Sequence, residues 1–150
     1  MILAAGWHRL SGRLLCAGAK VERIAAPEAA EAMGLAGILF AAEAYGIWRE
    51  AIEAAPEKMF PRLLERFRTG AQVAAMDYIA GWRRLEDLRA IWADRVKGYD
   101  AVILPTSPIL PPNTDRLMTD QDYYVTENLL ALRNTRIGNL MGVCGLTLPT

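Results

Sequence analysis

The sequence is poor in the side chains that most enzymes use for catalysis. It has one histidine, His8, two serines, Ser11 and Ser107, and two cysteines, Cys16 and Cys144. Because His8 lacks an HExxH partner and the cysteines lack CxxC spacing, no metal site is predicted. The 12 glycines form neither a GxGxxG pattern nor a phosphate loop, so no cofactor is expected. Two isolated thiols indicate a reducing, cytoplasmic environment rather than a disulfide framework.

Net charge is also absent. Seventeen basic residues balance seventeen acidic ones, so no overall field favours nucleic acid or an anionic membrane, and we expect neither partner. The uncharged run 32–42 is too short to span a bilayer, and the apolar start 1–7 has no positive region before it. A balanced chain has little charge-based protection against association, so binding to another copy is an expectation.

The few candidate nucleophiles have no obvious activating partners in sequence. Ser11 lies three residues after His8, so both could share a helix face, but no acidic residue occurs within ten positions of either. A working serine–histidine pair also needs an orienting acid and oxyanion donors. We therefore expect a polar helix surface here, and a small hydrolase using this pair stays open as an alternative. Cys144 lies in an apolar context that is typical of a buried thiol.

Apolar spacing of three and four residues predicts a helix-rich chain. The first helix should end near Gly18, and Pro27 should open the second one. A third is expected to begin at Thr69, with Gln72 completing a capping box, and to end at Gly98. Close packing against the second helix is predicted at three of its glycines, Gly34, Gly37 and Gly46. A fourth helix is expected over 125–140. All four tryptophans lie in these helical patterns and are predicted to be core residues: Trp7, Trp48, Trp82 and Trp92.

Three short segments read as strands. Lys20–Ile24 alternates polar and apolar residues, Tyr99–Leu104 is an apolar run, and Leu146–Leu148 begins another. Four prolines in 105–112 exclude helix and central strand and predict an extended loop. A polar loop is predicted over 113–124. The sequence therefore predicts an α/β fold, rich in helix, with a few short strands from a mixed sheet.

Several motifs occur in an order that resembles the carboxy-terminal region of amidase-signature hydrolases. The motifs are Gly18-Ala-Lys-Val-Glu22 followed by Pro27; Arg66, Gly70, Tyr78, Arg83 and Arg84; Asp100-Ala-Val-Ile-Leu-Pro105-Thr106-Ser107-Pro108; and Thr135, Asn139-Leu-Met-Gly142 and Leu146-Thr-Leu-Pro149. The resemblance covers nearly the whole chain and is best from Arg66 onward. It implies that residues 1–150 correspond to the carboxy-terminal portion of an amidase-like domain, incomplete at both ends.

The resemblance also implies a chemistry whose catalytic groups are not in this sequence. The family hydrolyses amides through a Ser-Ser-Lys triad whose serines lie in a Gly/Ser-rich segment, and these 150 residues hold no such segment. No catalytic residue is therefore predicted, and the chain is expected to be inactive alone. Arg66 is the one substrate-binding candidate, since an arginine can pair with a substrate carboxylate, and an ordinary surface arginine of a helix is the alternative interpretation. Leu132 replaces an acid that glutamine-specific members tend to carry, which puts glutamine as a substrate in doubt.

Two functional readings follow. The first is a segment of an amidase-like enzyme, which would meet a small-molecule amide only where the catalytic portion is also present. The second is a non-enzymatic interaction module whose exposed apolar surface binds a partner or another copy of the chain.

Overall fold

The computed structural model describes residues 2–148, with side chains from His8 onward. It is mostly helical: 71% of the chain is helix, and the described residues contain no strand and no sheet. The helices are α1 (Ile2–Cys16), α2 (Pro27–Ala54), α3 (Pro61–Arg68), α4 (Ala75–Val96), α5 (Thr114–Thr119), α6 (Gln121–Ala131) and α7 (Arg133–Met141). Two 3₁₀ turns, Pro56–Lys58 and Thr69–Gln72, flank α3.

The predicted α/β class, with short strands from a mixed sheet, is therefore wrong for the described residues. Lys20–Ile24 is irregular, and so are Tyr99–Leu104 and the described part of the last candidate, Leu146–Leu148. A strand needs a partner that completes its ladder of backbone hydrogen bonds. The local patterns favour strands, but no described segment pairs with them.

The chain divides into two compact units. One comprises Pro27–Arg95, and the other combines Met1–Ala26 with Val96–Thr150. The sequence predicts that residues 1–150 are one part of a larger amidase-like domain. That assignment stays a prediction.

The Pro27–Arg95 unit is built around α2. Ala29, Ala32, Ala36 and Leu39 are buried at spacings of three and four residues, which forms one apolar stripe along the helix. Leu85, Leu88 and Trp92 of α4 are buried as well. The predicted tight packing at Gly34, Gly37 and Gly46 is wrong, because a Cβ at any of the three would meet no described atom within 4 Å outside its own helix turn.

Close packing occurs instead at Gly70 and Gly81. A Cβ at Gly70 would lie 2.0 Å from the carbonyl oxygen of Ala41, so the 3₁₀ turn after α3 approaches the backbone of α2. A Cβ at Gly81 would lie 3.1 Å from Leu39 Cδ2. Only a residue without a side chain allows the first of these approaches.

Helix α2 is long and apolar. Within α2 an 18-residue window has a mean hydropathy of 1.3, and the helix is long and apolar enough to cross a membrane by length and composition. Core helices of soluble proteins meet the same criteria but are mostly buried, whereas 17% of this window is buried. Glu28, Glu31 and Glu53 of α2 are each paired with an arginine of the same unit. The expected absence of membrane binding stays a prediction.

The second unit contains α1 and α5 to α7. The start of α1 agrees with the predicted helix, and Gly18, at φ 90°, ends the helical region as expected. The predicted polar loop 113–124 is wrong, because Asn113 and Asp120 cap two helices there. The Asn113 side chain accepts from Arg116 N, and Asp120 accepts from Tyr123 N. The predicted helix 125–140 is divided at Leu132 into α6 and α7.

The tryptophans differ in their burial. Trp92 is buried and Trp82 is half-buried, but Trp48 is 57% exposed. The side chain of Trp7 lies outside the described side chains. The core prediction is thus confirmed only for Trp92.

Candidate functional site

A hydrogen bond joins the two stretches that carry the clearest motifs. The side-chain Nδ2 of Asn134 donates to the carbonyl oxygen of Pro105 at 2.7 Å. Asn134 immediately precedes Thr135, and Pro105 begins the Pro-Thr-Ser-Pro motif, so residues 29 apart in sequence are held together. The hydroxyl of Thr135 donates to Leu132 O at 3.2 Å. This contact within the second unit fixes the start of the proline-rich segment against α7.

The Asn-x-x-Gly motif is a helix ending. Gly142 follows α7 with φ 67° and ψ 32°, a left-handed conformation that favours glycine. Gly142 N donates to Asn139 O, and Val143 N donates to Gly138 O, which is the double hydrogen bond of a Schellman ending. The spacing of this motif therefore has a structural cause. The last motif continues to Pro149, which lies outside the described residues.

Both serines make local hydrogen bonds. Ser107 Oγ donates to Ile109 O at 3.3 Å and accepts from Ile109 N at 3.4 Å. Ser11 Oγ donates to the backbone carbonyl of His8 at 3.1 Å. That bond commits the single hydroxyl proton to the backbone, whereas a nucleophilic serine must give its proton to a base. The arrangement is that of a serine on a helix surface.

Cys144 does not fit the expected burial. Cys144 is exposed, and so is Cys16, and both are free thiols. The predicted buried position of Cys144 is wrong because residues 143–148 form no strand and pack little against the described chain. Within the described residues, no group of three or more His, Cys, Asp or Glu side chains could hold a metal ion.

Arg66 lies on the exposed side of α3, in the Pro27–Arg95 unit. Its carbonyl accepts a 2.7 Å hydrogen bond from Thr69 Oγ1, which links the end of α3 to the following 3₁₀ turn. In the part of the chain that the structure describes, no carboxylate pairs with the Arg66 side chain. An exposed guanidinium of this kind can form a bidentate pair with a carboxylate supplied from outside.

Arg68, two residues after that candidate, has a different role. Its Nε and Nη2 donate to both oxygens of Glu53, at 2.9 and 2.6 Å. Tyr45 Oη donates to Glu53 Oε1 at 3.2 Å, so Glu53 receives three hydrogen bonds. The hydrogen bonds from Arg68 are the main reason that the pKa of Glu53 is lowered. Arg68 is thereby engaged in holding α3 on α2.

Two further arginines join α4 to α2. Arg84 donates to both oxygens of Glu31 at 2.6 and 2.8 Å, and Arg95 Nε donates to Glu28 Oε1 at 2.5 Å. The mixed charges along α4 predict a solvated helix face; Arg84 and Arg95 are exposed, and each also pairs with a glutamate of α2. Their partners lie 53 and 67 residues earlier, beyond any helical spacing that a sequence pattern can register.

The pKa values of the paired carboxyl groups reflect these contacts. Burial raises the pKa of Glu28, but the hydrogen bonds from Arg95 and from its own backbone N–H outweigh burial and leave that pKa lowered. Hydrogen bonding from Arg84 lowers the pKa of Glu31. These pairs stabilise the charged carboxylates and serve packing rather than proton transfer.

The Pro27–Arg95 unit has two shallow, open surface grooves. One is lined by Met76, Ile79, Ala80, Arg83, Arg84 and Asp87. The other is lined by Ala42, Glu43, Gly46, Ile47, Gly70, Val73, Ala75 and Tyr78. Arg66 lines neither groove. Within this unit, the described residues place Arg66 on an open surface.

The chain is similar to a protein of known activity. It is 32% identical over 149 residues to 2-amino-5-chloromuconic acid deaminase of Comamonas testosteroni, and the match covers 98% of this chain. It covers 32% of the deaminase, so the chain spans about a third of that relative's length. No family model matches the chain, and no solved structure matches it. The similarity therefore points to a hydrolase- or deaminase-like relative.

Proposed function

We propose that this chain corresponds to a non-catalytic segment of an amidase-like enzyme that hydrolyses a carbon–nitrogen bond. The observation that carries the proposal is the 32% identity to a deaminase along nearly all of this chain. The ordered motifs that resemble amidase-signature hydrolases support it, because they extend from Gly18 to Pro149. The relative's name also describes the removal of a nitrogen group from a small molecule.

The positions and contacts of the two serines support a role for this chain other than catalysis of the chemical step. Ser11 and Ser107 each make a local backbone hydrogen bond, and they lie 96 positions apart in the sequence. The mechanism implied by the resemblance needs two serines and a neutral lysine within reach of one another. Within an enzyme of this class, the nucleophile would come from residues other than these 150.

The proposed substrate is a small carboxylate that carries an amide or amino nitrogen. The relative acts on an acid, as its name states, and carboxylic acids are ionised near neutral pH. Arg66 is exposed and has no carboxylate partner among the described residues, so it is available to bind such a group. Arg68 is not available, since Glu53 occupies it.

A chimeric enzyme tests this proposal. The segment of the deaminase that this chain matches is replaced by residues 1–150, and ammonia release from 2-amino-5-chloromuconic acid is measured. We expect a folded chimera that retains deamination, whereas the 150-residue chain alone releases no ammonia. A folded chimera without activity would contradict the proposal. Activity of the isolated chain that is lost in Ser11→Ala would support the small-hydrolase alternative instead.

A further inference from the structure

The helix that carries Arg66 is short. α3 comprises eight residues, Pro61–Arg68, and isolated helices of that length are marginal in water. Its exposed arginine therefore holds a defined place only if contacts outside the helix fix α3. Within the Pro27–Arg95 unit, such contacts are made to α2.

The first of these contacts is at Glu53 of α2. Its carboxylate accepts two hydrogen bonds from Arg68, at 2.9 and 2.6 Å, and one from Tyr45 Oη at 3.2 Å. Tyr45 also belongs to α2, so the carboxylate is held on its own helix and at the same time binds α3. A bidentate pair of guanidinium and carboxylate fixes the direction of approach as well as the distance.

The turn that follows α3 supplies a second attachment. Thr69 Oγ1 donates to Arg66 O at 2.7 Å. A Cβ at Gly70 would lie 2.0 Å from Ala41 O and 2.9 Å from Tyr45 Cβ, so the turn lies directly against α2. The backbone of Arg66 is therefore tied to a turn that packs on α2.

Helix geometry links the direction of Arg66 to the Arg68 contact. Successive residues of an α-helix are rotated by about 100°, so side chains two positions apart leave the helix about 200° apart. Because Arg68 faces Glu53, Arg66 leaves α3 on the side away from Glu53, where it is exposed. Loss of the Arg68 contact would free α3 to rotate or shift, and Arg66 would move with it.

We propose that Glu53 is a positioning residue, which holds Arg68 and thereby fixes the guanidinium of Arg66 for a substrate carboxylate. This inference rests on the proposed function, in which Arg66 binds that carboxylate. Glu53 acts through α3 and not by contact with the substrate, since it is itself an anion. All of these contacts lie within one compact unit.

A double-mutant cycle in the chimeric deaminase tests this role. KM and kcat for 2-amino-5-chloromuconic acid are measured for Glu53→Gln, first with Arg66 present and then in the Arg66→Gln background. With Arg66 present, Glu53→Gln should raise KM by roughly threefold or more at unchanged kcat, since only binding is weakened. In the Arg66→Gln background the same substitution should leave KM unchanged, because no guanidinium remains to be positioned.

Two further variants complete the design. Arg68→Gln removes the other partner of the pair and should raise KM as Glu53→Gln does, with no further rise in the double variant. Glu50→Gln, at another exposed glutamate of α2, is the control and should leave KM unchanged.

Some results would overturn this inference alone. One is a Glu53→Gln chimera with the wild-type KM, although Arg66→Gln raises KM. Another is a rise in KM that is equal in both backgrounds, or that Glu50→Gln reproduces, since a merely structural role would have that effect. In these cases the proposed function stands. If Arg66→Gln leaves KM unchanged, or if the folded chimera releases no ammonia, the proposed substrate binding and the positioning role are both contradicted.

Discussion

Arg84 of α4 donates two hydrogen bonds to Glu31 of α2, from Nε to Oε1 at 2.6 Å and from Nη2 to Oε2 at 2.8 Å. The fork of a guanidinium matches the two oxygens of a carboxylate, which fixes the direction of approach as well as the distance. The pair joins segments 53 residues apart and defines how α4 lies on α2 within the Pro27–Arg95 unit.

Adjacent arginines allow a matched test of this pair. Arg84→Ala should lower the midpoint of thermal unfolding by more than Arg83→Ala does, because Arg83 is exposed and has no carboxylate partner among the described residues. Circular dichroism melts of both variants at low and high salt would measure the difference. Equal midpoints for the two variants would show that the Arg84–Glu31 pair adds nothing to stability.

Two glycine positions should respond in opposite directions. Gly70→Ala would bring a Cβ to 2.0 Å from Ala41 O, so backbone must move, and the free energy of unfolding should fall by about 1–3 kcal/mol or more. Gly37 lies in the middle of α2, where an added Cβ would meet no described atom within 4 Å outside its own helix turn, so Gly37→Ala should raise the free energy of unfolding by about 1 kcal/mol through helix propensity. Urea titrations of the two variants check both signs. A Gly70→Ala variant as stable as wild type would refute the close approach.

Stability should fall at acidic pH. The pKa values of Glu28, Glu31 and Glu53 are all lowered below the ordinary value of 4.5 in the folded chain. Groups with lowered folded pKa values contribute stability that is fully present above the unfolded pKa and is lost as the pH falls through the folded values. The free energy of unfolding should therefore be flat from pH 7 to about 5 and decline below about 4.5. Glu31→Gln should make that decline shallower, and an unchanged slope would contradict the assignment.

Removing Arg95 should reverse the behaviour of Glu28. Glu28 is 3% exposed, so Arg95→Leu leaves a buried carboxylate whose desolvation is no longer offset, at a cost of about 1–3 kcal/mol near neutral pH. The pKa of Glu28 should then rise above 4.5. The contribution of Glu28 to the free energy of unfolding would then be present below its unfolded pKa. It would be lost as the pH rises through the raised folded pKa. A ¹³C NMR titration of the Glu28 carboxyl measures this, and a pKa that stays low would sink the prediction.

The helices were predictable from sequence where apolar spacing and end signals agree. Gly18 and Pro27 mark real ends, since α1 ends at Cys16 and α2 begins at Pro27. The caps Asn113 and Asp120 were available signals for α5 and α6, but their short helices lack a long apolar stripe. The strands failed for a different reason. A run such as Tyr99–Leu104 encodes a preference, whereas a strand also depends on a partner elsewhere in space.

The candidate site was predictable only in part. Arg66 and the Pro105 and Asn139 motifs can be read from local sequence, and their roles in binding stay predictions. The pairs of Arg84 and Arg95 with glutamates on α2 could not be foreseen, because their partners are set by tertiary packing. Tertiary packing also decides that the close backbone approach occurs at Gly70 and not at Gly37. From the sequence alone, either glycine could have been the point of contact.

The most direct test of the account is the KM of the chimeric deaminase for 2-amino-5-chloromuconic acid when Arg66 is changed to Gln. Arg49→Gln, at an exposed arginine of α2, serves as the matched control. If Arg66 binds a substrate carboxylate, loss of that charged hydrogen bond, worth about 1.5–3 kcal/mol, should raise KM by roughly tenfold or more and leave the control unchanged. Equal KM values for the two variants, in chimeras that fold and release ammonia, would contradict a role for this chain in substrate binding.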